Sequence, residues 1–180
     1  NMDYDYTGGT ADCGLPGLAH KRVGITGTGA TAVQCVPHRG RSANELYVFQ
    51  RTPSAIGVRD DRPTDRDWAQ SLAPGWQRER MDNFTAVISG EPVERDLVQD
   101  GWTGLLGEIL LAPRRQPQPV TSMEEALKVI EQADYRKMEE IRARVDAVVK
   151  DEAAAAALKP WDTAFCTRPG FHAEYPDFFS

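Results

Sequence analysis

The sequence has few of the residues that build disulfides or metal sites. Its 180 residues include only three cysteines and three histidines. The cysteines are odd in number and form no CxxC pair; they are Cys13, Cys35 and Cys166. We therefore expect neither a disulfide framework nor a zinc site. We expect the cysteines to be the reduced thiols of a cytoplasmic protein.

Long apolar runs and an excess of basic residues are also lacking. No apolar stretch approaches the roughly 20 residues of a membrane-spanning helix, and no secretory leader is visible. The net charge is -6, whereas a nucleic-acid surface usually carries a basic patch. The sequence therefore predicts a cytoplasmic protein with neither a membrane nor a nucleic-acid partner.

What is present first is the pattern of a strand–helix–strand unit. β-forming runs at 21–26 and 46–49 flank a helical stretch that begins at Ala30. Pro37 is expected to end or kink that helix. The unit has about 30 residues, which is the size of a parallel β-α-β crossover.

A glycine-rich motif joins the first strand to this helix. Gly27 permits a tight turn, Gly29 leaves room for a pyrophosphate, and Ala32 allows close helix–strand packing. The helix N-terminus offers free N–H groups to the phosphates. The motif predicts a dinucleotide site of the GxGxxA type, and the alternative is a turn that binds no ligand. Its residues are Gly27, Thr28, Gly29, Ala30, Thr31 and Ala32.

The residues at the end of the second strand indicate which dinucleotide the site binds. An NAD site needs a carboxylate about 20 residues after the glycines, but none occurs between Glu45 and Asp60. Arg51 can hold a 2′-phosphate through its guanidinium, and Thr52 can add a hydroxyl. NADP(H) is therefore favoured over NAD(H), and the alternative is that Arg51 is an ordinary exposed arginine.

Residues 62–158 have helical patterns. Thr64–Asp67 resembles a cap, 113–119 reads as an extended loop, and Thr121 is expected to cap a long helix. Asp134 interrupts the apolar stripe of that helix, so a bend or two helices are expected. The stripe is expected to face the core; it comprises Met123, Leu127, Ile130, Met138, Ile141, Val145 and Val148.

Several runs together resemble the Baeyer–Villiger monooxygenases. The segment around Arg168 is similar to the family's Lys-Arg-Pro segment, and the resemblance extends from Asp3 to Phe179. The runs are Asp3–Gly9, Lys21–Gln34, Tyr47–Pro53, Arg168-Pro169, Phe171-His172 and Glu174-Tyr175.

In this family FAD carries out the oxygen chemistry and NADPH reduces it, and the substrate is a ketone or a soft heteroatom. The resemblance implies that the glycine-rich loop and Gln34 lie on the nucleotide phosphates, with Arg51 and Thr52 on the 2′-phosphate. It implies that Arg168 is the active-site arginine, whose permanent charge can stabilise a developing anion.

The sequence also departs from the family. Thr167 stands where the family has a lysine that helps to hold the 2′-phosphate. The family's FAD fingerprint is missing, as is its Phe-Gly-His-Trp sequence, so the resemblance implies a fragment whose FAD site lies mostly outside this chain. His172 has no partner in the sequence pattern and is interpreted as structural.

The expected fold class is α/β with a helical majority, built on an incomplete Rossmann-type dinucleotide-binding unit with a large helical insertion. The expected domains are the NADPH-binding unit at 1–60, the helical insertion at 61–160 and a return segment with the active-site arginine at 161–180. Two strands make a small sheet, so unpaired strand edges could support a homo-oligomer. Another NADP-dependent flavoprotein reductase, or a non-catalytic helical interaction module on a Rossmann remnant, also fits the residues.

Overall fold

The structure is a computed structural model that describes residues 7–9, 14–60, 62–166 and 168–179. The chain divides into two compact units. The first combines the chain up to Gly57 with the chain from Glu140 onward, and the second is Val58–Glu139. Helices hold far more of the described residues than strands do, in agreement with the expected helical majority.

A parallel strand–helix–strand unit forms the start of the first unit. Strand β1 (Arg22–Thr26) leads into helix α1 (Ala30–Ser42), which returns to strand β2 (Glu45–Phe49). The strands pair in parallel, with Arg22 opposite Glu45 and Thr26 opposite Phe49. The predicted β-α-β crossover is therefore confirmed. One face of the sheet is half-buried, through Val23, Ile25, Leu46 and Val48.

Helix α1 does not end at Pro37, so the prediction that Pro37 ends the helix is wrong, whereas a kink at Pro37 stays a prediction. The helix continues to Ser42 with Pro37 inside it. Pro37 cannot donate to the carbonyl of Val33, which costs one helical hydrogen bond. Its side chain is fully buried beside Val36, which has 0% exposure, so packing maintains the helix where the local preference opposes it.

A second pair of strands links distant parts of the first unit. Strand β3 (Ile56–Gly57) pairs in parallel with strand β4 (Gly170–Phe171). A Cβ on Gly57 would lie 2.9 Å from the Phe171 ring, and one on Gly170 would lie 3.0 Å from Ile56 Cδ1. Glycine at both positions therefore allows the two segments to approach closely.

The core of the first unit gathers side chains from both parts of the chain. Val33, Val36, Ile56 and Tyr175 form a buried cluster. Helix α6 (Glu152–Leu158) packs through Leu158 against this cluster. Its N-cap is Asp151, whose carboxylate accepts from the Ala154 N–H at 2.7 Å.

The second unit contains three of the helices that the sequence indicated. They are α2 (Arg66–Ser71), α3 (Trp76–Ile88) and α4 (Gly101–Leu110). Asp65 caps α2 by accepting from the Trp68 N–H at 2.8 Å. After α4 the chain forms a 3-10 turn at Ala112–Arg115, so the predicted extended loop is shorter than expected.

Helix α5 (Met123–Val148) is continuous, so the alternative of two helices that meet at Asp134 is wrong, and a bend there stays a prediction. Asp134 is buried at 5% exposure and has an interaction partner. An aspartate in mid-helix costs only about 0.7 kcal/mol or less in propensity, which is too little to break a long helix. The helix is capped by Ser122 rather than Thr121, because the Glu125 N–H donates to Ser122 Oγ at 3.1 Å.

The apolar stripe of α5 is buried over only part of its length. Met138, Ile141 and Val145 are buried, but Met123 and Leu127 are 75% and 57% exposed. The expectation of a core-facing stripe therefore fails for the first two turns. No helix among the described residues is long and apolar enough to cross a membrane.

Candidate functional site

The glycine-rich loop and the segment after β2 are held together by hydrogen bonds. Gly27 has φ +93°, a region that favours glycine, and its N–H donates to the Phe49 carbonyl at 2.7 Å. Thr28 Oγ1 donates to the Thr52 carbonyl at 3.3 Å. Ser54 Oγ donates to the Thr28 carbonyl at 2.7 Å. The loop is thus fixed beside the residues predicted to choose the dinucleotide.

Ser54 was missed by the sequence analysis. Its position after the second strand gave no sign that its hydroxyl would reach back to the glycine-rich loop. The contact depends on the parallel pairing of β1 and β2, which brings both strand ends to one edge of the sheet.

Helix α1 begins with its N–H groups open. Gly29 is the N-cap, and no side chain among the described residues caps the helix. The first helical bond runs from the Val33 N–H to the Gly29 carbonyl at 3.0 Å, so the N–H groups of residues 30–32 precede it. Apart from its chain neighbours, Gly29 has no described atom within 4 Å of the position a Cβ would take. An anion could approach these donors without a steric barrier.

Arg51 lies two residues after the end of β2 and is exposed. Within the described parts of the chain its guanidinium has no hydrogen bond or ion pair. The residue before it is anchored, because Gln50 Nε2 donates to the Ala157 carbonyl at 2.5 Å. Gln34 is exposed on α1, and its Nε2 donates to the Ala30 carbonyl at 3.0 Å. Arg51 therefore follows an anchored residue, and its guanidinium has no partner among the described residues.

Arg168 lies on the return segment and is exposed. Thr167, the departure from the family pattern, lies outside the described residues. No hydrogen bond or ion pair between described residues connects Arg168 with the glycine-rich loop or with Arg51. The structure thus brings the loop and residues 50–54 into contact, and the β3–β4 pair connects the segment that carries Arg168 with the segment that follows Arg51.

His172 has backbone and ring contacts that belong to the fold. Its N–H donates to the Gly57 carbonyl at 2.9 Å, and its Nδ1 accepts from the Glu174 N–H at 3.2 Å. Glu174 also forms an ion pair with Arg41, and this contact holds the pKa of the Glu174 carboxyl below its usual value. These contacts agree with a structural interpretation of His172.

Arg144, near the end of α5, is a second residue that the sequence analysis missed. Its guanidinium donates to three backbone carbonyls, those of Ile56, His172 and Ala173. Partial burial lowers its pKa, while the nearby Asp177 carboxylate raises it. The helical pattern carried no sign of these long-range partners.

Comparison with known proteins finds similar sequences among the Baeyer–Villiger monooxygenases. No family model matches the chain. It is 53% identical, over 99% of its length, to Baeyer-Villiger monooxygenase ATR8 of Stachybotrys chlorohalonatus, and it spans 28% of that protein. It is 52% identical, also over 99% of its length, to neopentalenolactone D synthase of Streptomyces avermitilis, of which it spans 30%. The chain is homologous to part of the Baeyer–Villiger monooxygenases.

The solved structures agree with this family. A polycyclic ketone monooxygenase from Thermothelomyces thermophila matches with a TM-score of 0.81 and 42% identity, over 99% of this chain and 30% of that one. A complex of OTEMO with FAD and NADP matches the fold with a TM-score of 0.54 and 22% identity, over 88% of this chain and 30% of that one. The chain spans about 30% of the length of the Baeyer–Villiger relatives it matches, and the resemblance predicted from its motifs is confirmed.

Proposed function

We propose that this chain is the NADPH-binding portion of an FAD- and NADPH-dependent Baeyer–Villiger monooxygenase, which inserts oxygen into ketones or oxidises heteroatoms. One observation carries the proposal. An uncapped helix N-terminus opens beside Gly29 at the end of β1, and the unengaged Arg51 follows the neighbouring parallel strand. This arrangement occurs in a chain homologous to that enzyme family.

The residues present fit a dinucleotide phosphate. A Cβ on Gly29 would meet open space, so a pyrophosphate could approach the N–H groups of residues 30–32. In this interpretation β1, α1 and β2 are the first part of a Rossmann-type unit. The loop residues from Gly27 to Ala32 and the Gln34 amide would hold the pyrophosphate.

The second phosphate of NADPH would lie at the end of β2. Arg51 can form a bidentate, charge-assisted contact with the 2′-phosphate, and Thr52 can add its hydroxyl. No carboxylate lies between Glu45 and Asp60 to repel that phosphate. The choice of NADPH over NADH would therefore depend mainly on Arg51.

Arg168 is proposed as the catalytic residue of the oxygenation step. FAD, held mostly by parts of the enzyme outside this chain, supplies the activation of oxygen when it is bound. The Arg168 side chain would place a permanent positive charge where negative charge develops, and would lower the free energy of that transition state. Along the sequence, the helical insertion at 61–160 would lie between the NADPH-binding unit at 1–60 and the return segment at 161–180 that carries Arg168.

The proposal is tested by comparing this 180-residue chain with a protein of the relatives' full length that contains it. The long protein should be yellow, consume NADPH and convert a ketone to an ester or lactone, which chromatography would detect. The chain alone should be colourless and should not oxidise NADPH, even with added FAD. A long protein that reduces a disulfide with NADPH but gives no oxygenated product would favour the flavoprotein-reductase alternative and contradict the proposal.

A further inference from the structure

The β3–β4 pair connects the two segments that carry the proposed site arginines. Ile56 of β3 lies five residues after Arg51, and Gly170 of β4 lies two residues after Arg168. The Gly170 N–H donates to the Ala55 carbonyl at 2.8 Å, and the His172 N–H donates to the Gly57 carbonyl at 2.9 Å. Two-residue strands are too short to fix this register by themselves.

Arg144 supplies further hydrogen bonds to β3 and to the segment that follows β4. Nη1 donates to the Ile56 carbonyl at 3.3 Å, and Nη2 donates to the His172 carbonyl at 3.3 Å and to the Ala173 carbonyl. A single planar guanidinium therefore contacts the backbone of β3 and the backbone that follows β4. Bonds from a charged donor are stronger than those between neutral groups, and the half-buried position limits competition from water.

The close fit of the strands makes their spacing sensitive to such contacts. Phe171 and Ile56 occupy the space that a Cβ on Gly57 or Gly170 would need. These side chains fill the space beside both glycines, so they oppose a movement of one strand toward the other at these positions. A change in the hydrogen bonds that hold the register should consequently move the backbone on the Arg168 side.

We propose that Arg144 is a positioning residue that fixes the backbone after Arg168 relative to the backbone after Arg51. It would thereby set where the Arg168 guanidinium lies with respect to the bound nucleotide. This inference rests on the proposed function, since it assigns Arg168 to oxygenation and Arg51 to NADPH. Arg144 itself touches neither substrate nor cofactor in this scheme.

The first test examines the contacts alone, by hydrogen exchange of the full-length protein that contains this chain. Arg144→Met keeps a long side chain without donors, and Arg136→Met is its control on an exposed position of the same helix. The Gly170 and His172 amides should exchange about tenfold faster in Arg144→Met and unchanged in the control. Unchanged exchange in Arg144→Met would overturn the inference without affecting the proposed NADPH site.

The second test separates positioning from general stability, in the same protein. Arg144→Met should lower the oxygenated product formed per NADPH consumed by about fivefold, with anaerobic flavin reduction changed by less than about twofold. Arg144→Lys should restore part of the product yield, because an ammonium can reach some of the carbonyls.

Two results would contradict the assignment. Product per NADPH could stay at the wild-type level, or both steps could fall in the same proportion, as a loss of folded protein would cause. A wild-type protein that consumes no NADPH would instead overturn the proposed function, and this inference with it. In that case the exchange data would still show whether Arg144 holds the strands.

Discussion

The loop before α1 and the turn before α4 differ in whether a side chain caps the N–H groups of the helix that follows. Before α1, Gly29 offers no side-chain cap, and Arg51 has no partner among the described residues. Before α4, the Asp100 carboxylate accepts from the N–H groups of Trp102 and Thr103, at 2.9 and 3.1 Å, in a capping box. One helix keeps its N-terminus open, and the other closes it with its own chain.

The turn before α4 satisfies its other polar groups as well. Asn83 accepts from the Leu97 N–H and donates to the Arg95 carbonyl, at 2.9 and 2.7 Å. Arg80 donates to the Val98 carbonyl at 3.3 Å, and its guanidinium lies 5.7 Å from the centre of the Trp68 ring. A turn built in this way stabilises the fold and leaves few donors for a ligand. The loop before α1 lacks the stabilisation of a side-chain cap, and its N–H donors can therefore bind an anion.

The largest expected effect concerns Arg168, which, like Arg51, has no hydrogen bond or ion pair with another described residue. In the full-length protein, Arg168→Ala should lower oxygenated product by roughly 10²–10³-fold, or about 3–4 kcal/mol, because a preorganised charge is removed. Anaerobic flavin reduction should change far less, and Arg168→Lys should be partly active. Stopped-flow reduction and product yield are measured separately.

Arg80→Ala is the matched control for Arg168→Ala, because that arginine is engaged by its own unit. It should lower thermal stability without changing the ratio of product to flavin reduction. Product formation at the wild-type rate in Arg168→Ala would remove Arg168 from the mechanism.

The next effect comes from giving α1 the kind of cap that α4 has. Gly29→Asp fits the backbone, since φ is -74° and a Cβ meets open space. The carboxylate should cap the helix and repel the pyrophosphate, so NADPH affinity should fall roughly 100-fold while the melting temperature does not fall. Calorimetric titration and thermal unfolding check the two parts, and Gly29→Asn is the uncharged control. Unaltered affinity in Gly29→Asp would show that the phosphates bind elsewhere.

Arg51→Ala should remove most of the preference for NADPH over NADH. The expected loss is about 1.5–3 kcal/mol for a charge-assisted bond to the 2′-phosphate, with NADH affinity almost unchanged. Titrating both nucleotides against the wild type and the variant measures it, with the exposed Arg115→Ala as a control from the other unit. Equal affinities for the two nucleotides in the wild type would rule out this role.

Asp100→Ala should act on stability alone. Loss of the cap should lower the free energy of unfolding by about 1 kcal/mol, and nucleotide affinity should not change. Asp100→Asn keeps an acceptor and should lose much less. Urea unfolding compares the three proteins, and an Asp100→Ala protein as stable as the wild type would mean that water replaces the cap at no cost.

The smallest expected effect is a pH dependence at Asp96. Partial burial opposes ionisation, but hydrogen bonds from the Thr103 hydroxyl and from the Gln99 and Val98 N–H groups, together with Arg80, lower the pKa of this carboxyl. Its contribution to stability is therefore present above the pKa of unfolded aspartate and is lost as the pH falls through the lower, folded value. Urea unfolding of Asp96→Asn should depend less on pH in this acidic range than that of the wild type.

Local signals predicted much of the fold because they act over a few residues. The glycine-rich loop, the β-rich runs and the cap at Asp65 gave β1, α1, β2 and the start of α2. Pro37 does not end α1 and Asp134 does not divide α5 into two helices. Both side chains are buried, and a buried environment can outweigh a local preference. Met123 and Leu127 were expected to face the core but are exposed. Periodicity identifies an apolar stripe, but it does not show which part of the stripe the rest of the chain covers.

The sequence supplied candidate site residues but not the contacts that hold their segments in place. The spacing of Gly27, Gly29 and Arg51 follows from a parallel β-α-β unit, which sequence patterns describe well. The pairing of β3 with β4, the Ser54 contact and the three carbonyls of Arg144 join residues far apart in the sequence. Two-residue strands and a single arginine give no periodic pattern from which such contacts could be predicted.

The two-part construction of the first unit has a consequence for biosynthesis. Val33, Val36 and Ile56 pack with Tyr175, which the ribosome adds about 120 residues after Ile56. At a translation rate of about 5–20 residues per second, roughly 6–24 s pass between the synthesis of Ile56 and that of Tyr175. During that interval the nascent β-α-β unit exposes the surface that chaperones bind, and a stop codon before Tyr175 would leave it exposed permanently.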